Sequence, residues 1–293
     1  MLEAQKGFGR QRRYREQKLA FLAIRLAAGL SLGVMAAIII YIVVNGVPAL
    51  SWAFLTEFPR DNMSAGGIFP AIVGTVLLAV GALLTALPLG FGAAIYLAEY
   101  ARPGPLVTAI RLGVANLAGV PSVVFGLFGL SLFVTTLGFG RSLLSGSLTL
   151  GLLILPTVTA AAEEALRQTP ASFREAALAL GANRWQAIRQ VVLPAALPGM
   201  LTGAILALGR AAGETAPIVF TASAAYTLLL PDSIYREVMA LPTHILNLAT
   251  NSVHIEATRP QQFGSALVLL VLVLGLSTFA IVVRAKLRRG RQW

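Results

Sequence analysis

Residues 169–194 read TPASFREAALALGANRWQAIRQVVLP, a polar, helix-favouring stretch between two strongly apolar ones. Its opening Thr-Pro pair is typical of a helix start, and the run from Ala171 to Leu180 favours helix. Gly181 stands where a left-handed residue ends a helix, and Asn183 can cap a second one. The stretch therefore predicts two short helices that form a hairpin.

The second predicted helix is amphipathic. Trp185, Ile188 and Val192 follow the spacing i, i+3 and i+7, which gives one apolar stripe. One interpretation is a hairpin that lies on the inner membrane surface. The other is a docking element, because the small side chains of Ala176 and Ala177 allow a partner groove to approach closely.

The composition surrounding this hairpin is that of a membrane protein. Of 293 residues, 57% are hydrophobic and 12% are charged, whereas a soluble domain has roughly 25% charged residues. This excludes a soluble enzyme and a disordered chain. The chain has no cysteine, which excludes disulfides, thiolate metal sites and a cysteine nucleophile.

Six apolar stretches are candidates for membrane-spanning helices, each needing roughly 20 residues. They lie at 19–44, 68–97, 106–137, 148–162, 194–222 and 263–283. The predicted organisation is a basic cytoplasmic tail over 1–18, a first transmembrane helix over 19–45, a transmembrane domain over 66–283 that includes the cytoplasmic hairpin 163–193, and a second basic tail over 284–293.

The net charge of +11 follows this topology. On the predicted arrangement, 18 of the 23 Lys and Arg residues fall on the side of the two termini. The positive-inside rule then predicts that both termini are cytoplasmic. Nucleic acid is not an expected partner, because that would need a basic patch on a soluble domain.

A charged pair interrupts the fifth predicted span. Arg210 and Glu214 are four residues apart and can pair on one helix face, with Thr215 as a further polar neighbour. A charge at membrane depth costs roughly 2.5–3.5 kcal/mol on insertion scales. The pair either locks two helices together, or Arg210 lines a route for an anion while Glu214 orients it. Pro217 can loosen the helix just beyond.

The hairpin also carries a family signature. Glu175, Ala176, Ala177, three residues, Gly181, nine residues and then the segment 191–194 resemble the EAA motif of permease subunits in ATP-binding-cassette (ABC) importers. The one departure is Val191 where the motif has Ile. Residues 66–75, 119–129 and 209–222 further resemble the A-type permeases of phosphate-specific transporters.

The resemblance implies an all-α polytopic membrane protein with six transmembrane helices and the type I ABC importer permease (MetI-like) fold. Glu175, Ala176, Ala177 and Gly181 would couple to an ATPase, and Arg210, Glu214 and Thr215 would line the translocation path. The chain would have no catalytic residue, metal or cofactor of its own. Its three Lys are followed by Gly7, Leu19 and Leu287, so it has no phosphate-binding loop of the Walker type, and ATP would be used by a partner.

The implied partners are a homologous C-type permease, two copies of a cytoplasmic ABC ATPase, a periplasmic phosphate-binding protein and membrane lipid, in a bacterial inner membrane. Three alternatives remain: a permease for another oxyanion such as phosphonate, sulfate or molybdate, an ion-coupled secondary transporter, and a structural scaffold. A secondary transporter typically has an inverted repeat and midplane acidic sites, whereas Glu214 is the only such candidate here. A scaffold leaves the hairpin signature unexplained.

Overall fold

The computed structural model describes residues 2–60, 63, 65–224, 229–251 and 255–289, and this part of the chain is predominantly helical. The long helices are α1 (Leu2–Gly46), α3 (Phe69–Ile95), α6 (Leu143–Arg167), α9 (Leu193–Gly213) and α12 (Ile255–Arg289). Five segments built on these helices are long and apolar enough to cross a membrane. A sixth span results when α4 (Pro105–Ala118) and α5 (Ser122–Gly129), which are bent by 102°, are counted together. The predicted all-α membrane fold is confirmed.

Short elements connect these helices. They are α2 (Trp52–Thr56), α7 (Ala171–Ala179), α8 (Arg184–Ala187), α10 (Ala216–Thr221) and α11 (Leu241–Thr250). A 3-10 turn follows α1 at Val47–Ala49, and π-helical turns follow α3, α5 and α8 at Tyr96–Tyr100, Leu130–Thr136 and Ile188–Val192. Two short strands, β1 (Pro59–Arg60) and β2 (Ala65–Gly66), pair antiparallel.

The core forms where α3 packs along α6. Its buried side chains are mostly alanine and leucine from these two helices and from α9. A Cβ on Gly81 would collide with Ser147, and a Cβ on Gly90 would collide with Val158, so the two helices approach closely through small residues. Close packing of small side chains is how helices associate in lipid, where the hydrophobic effect offers little.

The fourth span is longer than predicted. The expectation of 148–162 assumed that Pro156 and the acidic residues after it would end the helix, but α6 continues to Arg167. Ser142 caps its start by accepting a hydrogen bond from the Ser145 N–H at 3.1 Å. Glu163 does not end the helix because its carboxylate pairs with two arginines, described below.

The third and fifth spans are not single helices. The span predicted at 106–137 breaks between Ala118 and Ser122. The span predicted at 194–222 is also wrong at both ends. Its helix follows directly on the π-helical turn Ile188–Val192, and Pro194 occupies the first turn of α9, where a missing amide hydrogen is tolerated. It then ends at Gly213, and the chain restarts as α10.

A close backbone contact fixes the N-terminal end of α3. A Cβ on Gly74 would collide with the carbonyl oxygen of Met239, and the adjacent Thr75 Oγ1 accepts a hydrogen bond from the Leu241 N–H at 2.8 Å. The segment that leads into α11 therefore docks on α3 only if residue 74 has no side chain.

We expect Gly74→Ala to lower the free energy of unfolding by about 1–3 kcal/mol, as overpacking does elsewhere. Gly92→Ala is the matched control, because it lies in the same helix and a Cβ there meets no atom within 4 Å. Thermal unfolding of both variants in one detergent measures the difference. Equal melting temperatures for the two variants would contradict the packing argument.

Candidate functional site

The hairpin forms as predicted at its turn. Gly181 adopts φ +85°, the left-handed conformation that glycine tolerates best. Asn183 accepts a hydrogen bond from the Gln186 N–H, and the Gln186 side chain accepts one from the Asn183 N–H, both at 2.8 Å. The predicted cap by Thr169 is wrong: α7 begins after Pro170 with no side-chain cap.

The tip of the hairpin presents both polar and apolar groups. Glu175 and Ala176 are exposed, whereas Ala177 is buried against the body. Leu180 is 89% exposed. We call the exposed residues Glu175, Ala176, Leu178, Leu180 and Trp185 the hairpin tip.

The predicted apolar stripe is divided between two environments. Ile188 and Val192 are buried in the protein, but Trp185 is 54% exposed. A helix that rested flat on a membrane would keep the whole stripe on one outer face. One end of the stripe therefore anchors the hairpin to the rest of the protein, and Trp185 at the other end stays exposed.

An ion pair that sequence reasoning missed ties the hairpin to the second span. Arg174 of α7 donates to the Glu99 carboxylate in the turn after α3, with its Nη2 at 2.6 Å from Oε1. The two residues are 75 positions apart, so no local pattern signals the pairing. The side chain of Glu99 is only 7% exposed.

A second charged group lies on the same side of the bundle. Glu163 accepts from the Arg111 Nε at 2.9 Å and from the Arg167 Nη2 at 2.8 Å. Arg111 also donates to the backbone oxygen of Leu97 at 3.0 Å. This group links α4, α6 and the turn after α3, and it explains why a carboxylate can lie at the end of a membrane helix.

The predicted pairing of Arg210 and Glu214 is present, with 3.3 Å between Nε and Oε1. The prediction that the two residues share a helix face is wrong, because Glu214 lies beyond the end of α9 in extended backbone. Thr215 precedes α10, and its backbone oxygen accepts a hydrogen bond from the Val219 N–H at 3.1 Å. The three residues are thus adjacent at a break between two helices.

The Arg210 guanidinium has unused hydrogen-bonding capacity. Its side chain is 37% exposed, and within the described residues its only hydrogen bond is the one from Nε to Glu214. Guanidinium has five N–H donors in a planar fork that suits oxyanions. The remaining donors of Arg210 can therefore bind a tetrahedral anion without breaking the pair.

His244 of α11 lies outside the predicted spans and is only 2% exposed. Neither of its ring nitrogens has a partner among the described residues. Burial lowers the pKa of His244 from 6.5 to about 4, since the charged ring is costly to desolvate. His254, the other histidine, lies outside the described residues.

The buried histidine predicts an acid-sensitive fold. The unfolded chain protonates His244 more readily than the folded chain does. The contribution of the neutral, buried ring to stability is therefore complete above pH 6.5 and is lost as the pH falls toward 4. Between pH 7.5 and 5 we expect the free energy of unfolding to fall by about 2 kcal/mol through this residue. Denaturant unfolding of wild type and His244→Phe at both pH values measures it. Equal pH dependence in the two proteins would contradict the prediction.

The bundle of spans and its exposed helical hairpin define a polytopic membrane protein of the permease class. The chain belongs to the family of binding-protein-dependent transport system inner membrane components, which matches residues 86–290. Among curated relatives, a probable ABC transporter permease protein, YqgI of Bacillus subtilis, is 34% identical over 89% of this chain and 92% of its own length.

Two further relatives are phosphate transport system permease proteins. PstA 1 of Mycobacterium tuberculosis is 38% identical, covering 82% of this chain and 77% of that protein. PstA of Mycobacterium leprae is 40% identical, covering 75% and 71%. Among solved structures, inward-facing MetNI, a methionine ABC transporter, matches with a TM-score of 0.57 and 20% identity, over 75% of this chain and 94% of that chain. This last likeness confirms the predicted permease fold.

Proposed function

We propose that this chain is one transmembrane subunit of an ATP-driven phosphate importer and forms half of its translocation pathway. The observation that carries the proposal is the 38% identity to a phosphate transport permease over 82% of the chain. The exposed guanidinium of Arg210 supports it, because an anion route needs a cation with free donors.

The complete transporter would contain four kinds of subunit. A homologous C-type permease would form the other half of the pathway, and two copies of a cytoplasmic ABC ATPase would bind and hydrolyse ATP. A periplasmic phosphate-binding protein would deliver the substrate. This chain would hold no cofactor, would lie in the inner membrane among lipids, and would have both termini in the cytoplasm.

The hairpin tip is where the ATPase would bind. Glu175 and Ala176 are exposed there beside apolar side chains, and Gly181 forms the turn. Ala177, which is buried, would contribute indirectly by packing α7 against the rest of the protein. ATP-driven closure of the ATPases would push on this surface and switch the permease pair from inward-open to outward-open.

The charged break between α9 and α10 is where phosphate would pass. Arg210 would lower the electrostatic barrier for the anion, and Glu214 would orient the guanidinium and limit the lifetime of the bound anion. Thr215 would contribute a hydroxyl at the same level. A helix end is suited to this role because irregular backbone at membrane depth is tolerated where it lines a water-filled cavity.

Competition of uptake tests the choice of substrate. The chain would be co-expressed with its partner subunits, and radiolabelled phosphate uptake would be measured alone and with excess sulfate, molybdate or phosphonate. We expect unlabelled phosphate to suppress the signal and the other anions to leave it unchanged. Stronger suppression by one of the others would transfer the proposal to that oxyanion, and uptake that persists without the ATPase would favour a secondary transporter.

A further inference from the structure

Glu99 lies where the hairpin contacts the end of the second span through an ion pair with Arg174. Arg174 holds its carboxylate with two nitrogens, since Nε lies 3.0 Å from Oε1 and 3.1 Å from Oε2 while Nη2 lies 2.6 Å from Oε1. Such forked pairs fix orientation as well as distance. Their exposed side-chain fractions are only 25% for Arg174 and 7% for Glu99.

The same guanidinium also holds the end of α6. Its Nη1 donates to the Thr169 oxygen at 2.7 Å, and its Nη2 donates to the Leu166 oxygen at 2.8 Å. All three guanidinium nitrogens of Arg174 therefore form hydrogen bonds. They join α7 to the ends of α3 and α6, the two helices that pack along each other in the core.

The other arm of the hairpin reaches the same turn. Arg184 of α8 donates to the backbone oxygen of Glu99 and lies over the ring of Tyr100, 5.1 Å from its centroid. Both arms thus converge on the residues that end α3. The second arm is also continuous with α9, so α9 follows the hairpin covalently. The end of α3 is joined to the hairpin by noncovalent contacts, which are these charged ones and the packing of Ala94 in one buried cluster with Val192.

We propose that Glu99 is a positioning residue that makes α3 move with the hairpin. The inference rests on the proposed function, in which an ATPase displaces the hairpin tip. Removing one partner of a buried pair leaves the other charge uncompensated, which is strongly unfavourable. The contact therefore transmits motion and does not act as a hinge. Because α3 packs along α6 in the core, a displacement of the hairpin reaches the centre of the bundle.

The first test separates transport from ATP hydrolysis. In the assembled complex, Glu99→Gln keeps the shape of the side chain but removes its charge. We expect phosphate taken up per ATP hydrolysed to fall at least about tenfold, with assembly intact and ATPase activity within about twofold of wild type. Glu164→Gln is the matched control, because Glu164 lies on α6, not on α7 or α8, and accepts a hydrogen bond from Gln168 at the end of the same helix at 3.0 Å. Parallel loss of uptake and ATPase activity would indicate a merely structural role and overturn the proposal.

The second test does not depend on the substrate. The chain has no cysteine, so Leu84→Cys in α3 and Ser172→Cys in α7, both exposed and both outside the hairpin tip, accept spin labels selectively. We expect electron–electron resonance to give one narrow distance with and without ATP in wild type and in Glu164→Gln, and a broadened one in Glu99→Gln. Arg174→Lys, which keeps the charge but loses the planar fork, should broaden it too.

An unchanged narrow distance in Glu99→Gln would overturn the inference, whatever the uptake. If instead the wild-type complex takes up no phosphate, the proposed function fails while the label distance still decides whether Glu99 holds the hairpin to α3.

Discussion

Reversing the charge at the hairpin tip is expected to separate this chain from its ATPase. In Glu175→Lys, phosphate uptake should be abolished and co-purification of the ATPase lost, while membrane insertion is unchanged. Glu175 is exposed on α7 and makes no contact that its replacement would break within the described residues. A change at a central interface residue costs about 2–4 kcal/mol, or roughly 30- to 1,000-fold in affinity. That range is enough to dissociate a complex during purification.

Gly181→Asp provides an independent change on the same surface. A Cβ at Gly181 meets no atom of this chain within 4 Å, so the added carboxylate would project toward whatever covers the turn. Its φ of +85° strains every residue except glycine, and Asp less than most. Loss of ATPase binding reports a clash with the partner when the variant elutes like wild type in size-exclusion chromatography.

The control for these variants is Glu164→Lys. Glu164 is likewise an exposed carboxylate, but it lies on α6 and outside the hairpin tip. We expect this variant to retain the ATPase. Membrane insertion is checked by detergent extraction and size-exclusion chromatography of each variant. Unchanged co-purification in Glu175→Lys and Gly181→Asp would show that the ATPase binds elsewhere.

Features with a local cause were predictable from the sequence. The left-handed turn at Gly181 and the cap at Asn183 depend on the backbone preferences of single residues, and both are present. The membrane spans follow from hydrophobic length alone. The pairing of Arg210 with Glu214 was predicted from their separation of four residues and is present, but the helical geometry assumed for it is not, because Glu214 lies beyond the end of α9.

Features set by distant contacts were not predictable. Nothing near Glu99 in the sequence indicates that Arg174, 75 residues away, will bind it. Nor does the sequence show that α6 can continue past Glu163, because that depends on Arg111 of another helix. The predicted helix ends were wrong for a related reason. Pro194 suggested that a helix ends there, but a proline in the first turn of α9 is tolerated because that position needs no amide hydrogen. The actual end of α9 is Gly213.

Loss of the charge at residue 210 is expected to stop transport in an assembled complex. In Arg210→Gln, phosphate uptake should fall by about 30-fold or more, because removing one partner of a charged contact with the anion typically costs about 2–5 kcal/mol. ATPase activity and assembly should persist, since the hairpin tip is untouched. Uptake and ATP hydrolysis measured on the same proteoliposomes give both results.

The partner carboxylate distinguishes the two roles considered for this pair. If Arg210 only locks α9 to the start of α10, Glu214→Gln should be as damaging as Arg210→Gln, because either variant breaks the bond. If Arg210 serves the anion, Glu214→Gln keeps the cation, and phosphate should still enter. The anion should then leave Arg210 more slowly, because the Glu214 carboxylate no longer screens the guanidinium. Arg60→Gln, which breaks the exposed pair with Glu57 at 3.0 Å, controls for loss of a surface charge.

The exposure of the pair decides which outcome is expected. Arg210 retains 37% of its side-chain surface, and an ion pair that is this open stabilises a fold by at most about 1 kcal/mol. Such a bond is too weak to explain two charges at the end of a membrane helix whose buried residues are Ala, Gly, Leu and Met. The cost of placing them there is offset if an anion crosses beside them. Loss of assembly in Arg210→Gln would instead show that the pair is structural and that phosphate takes another route.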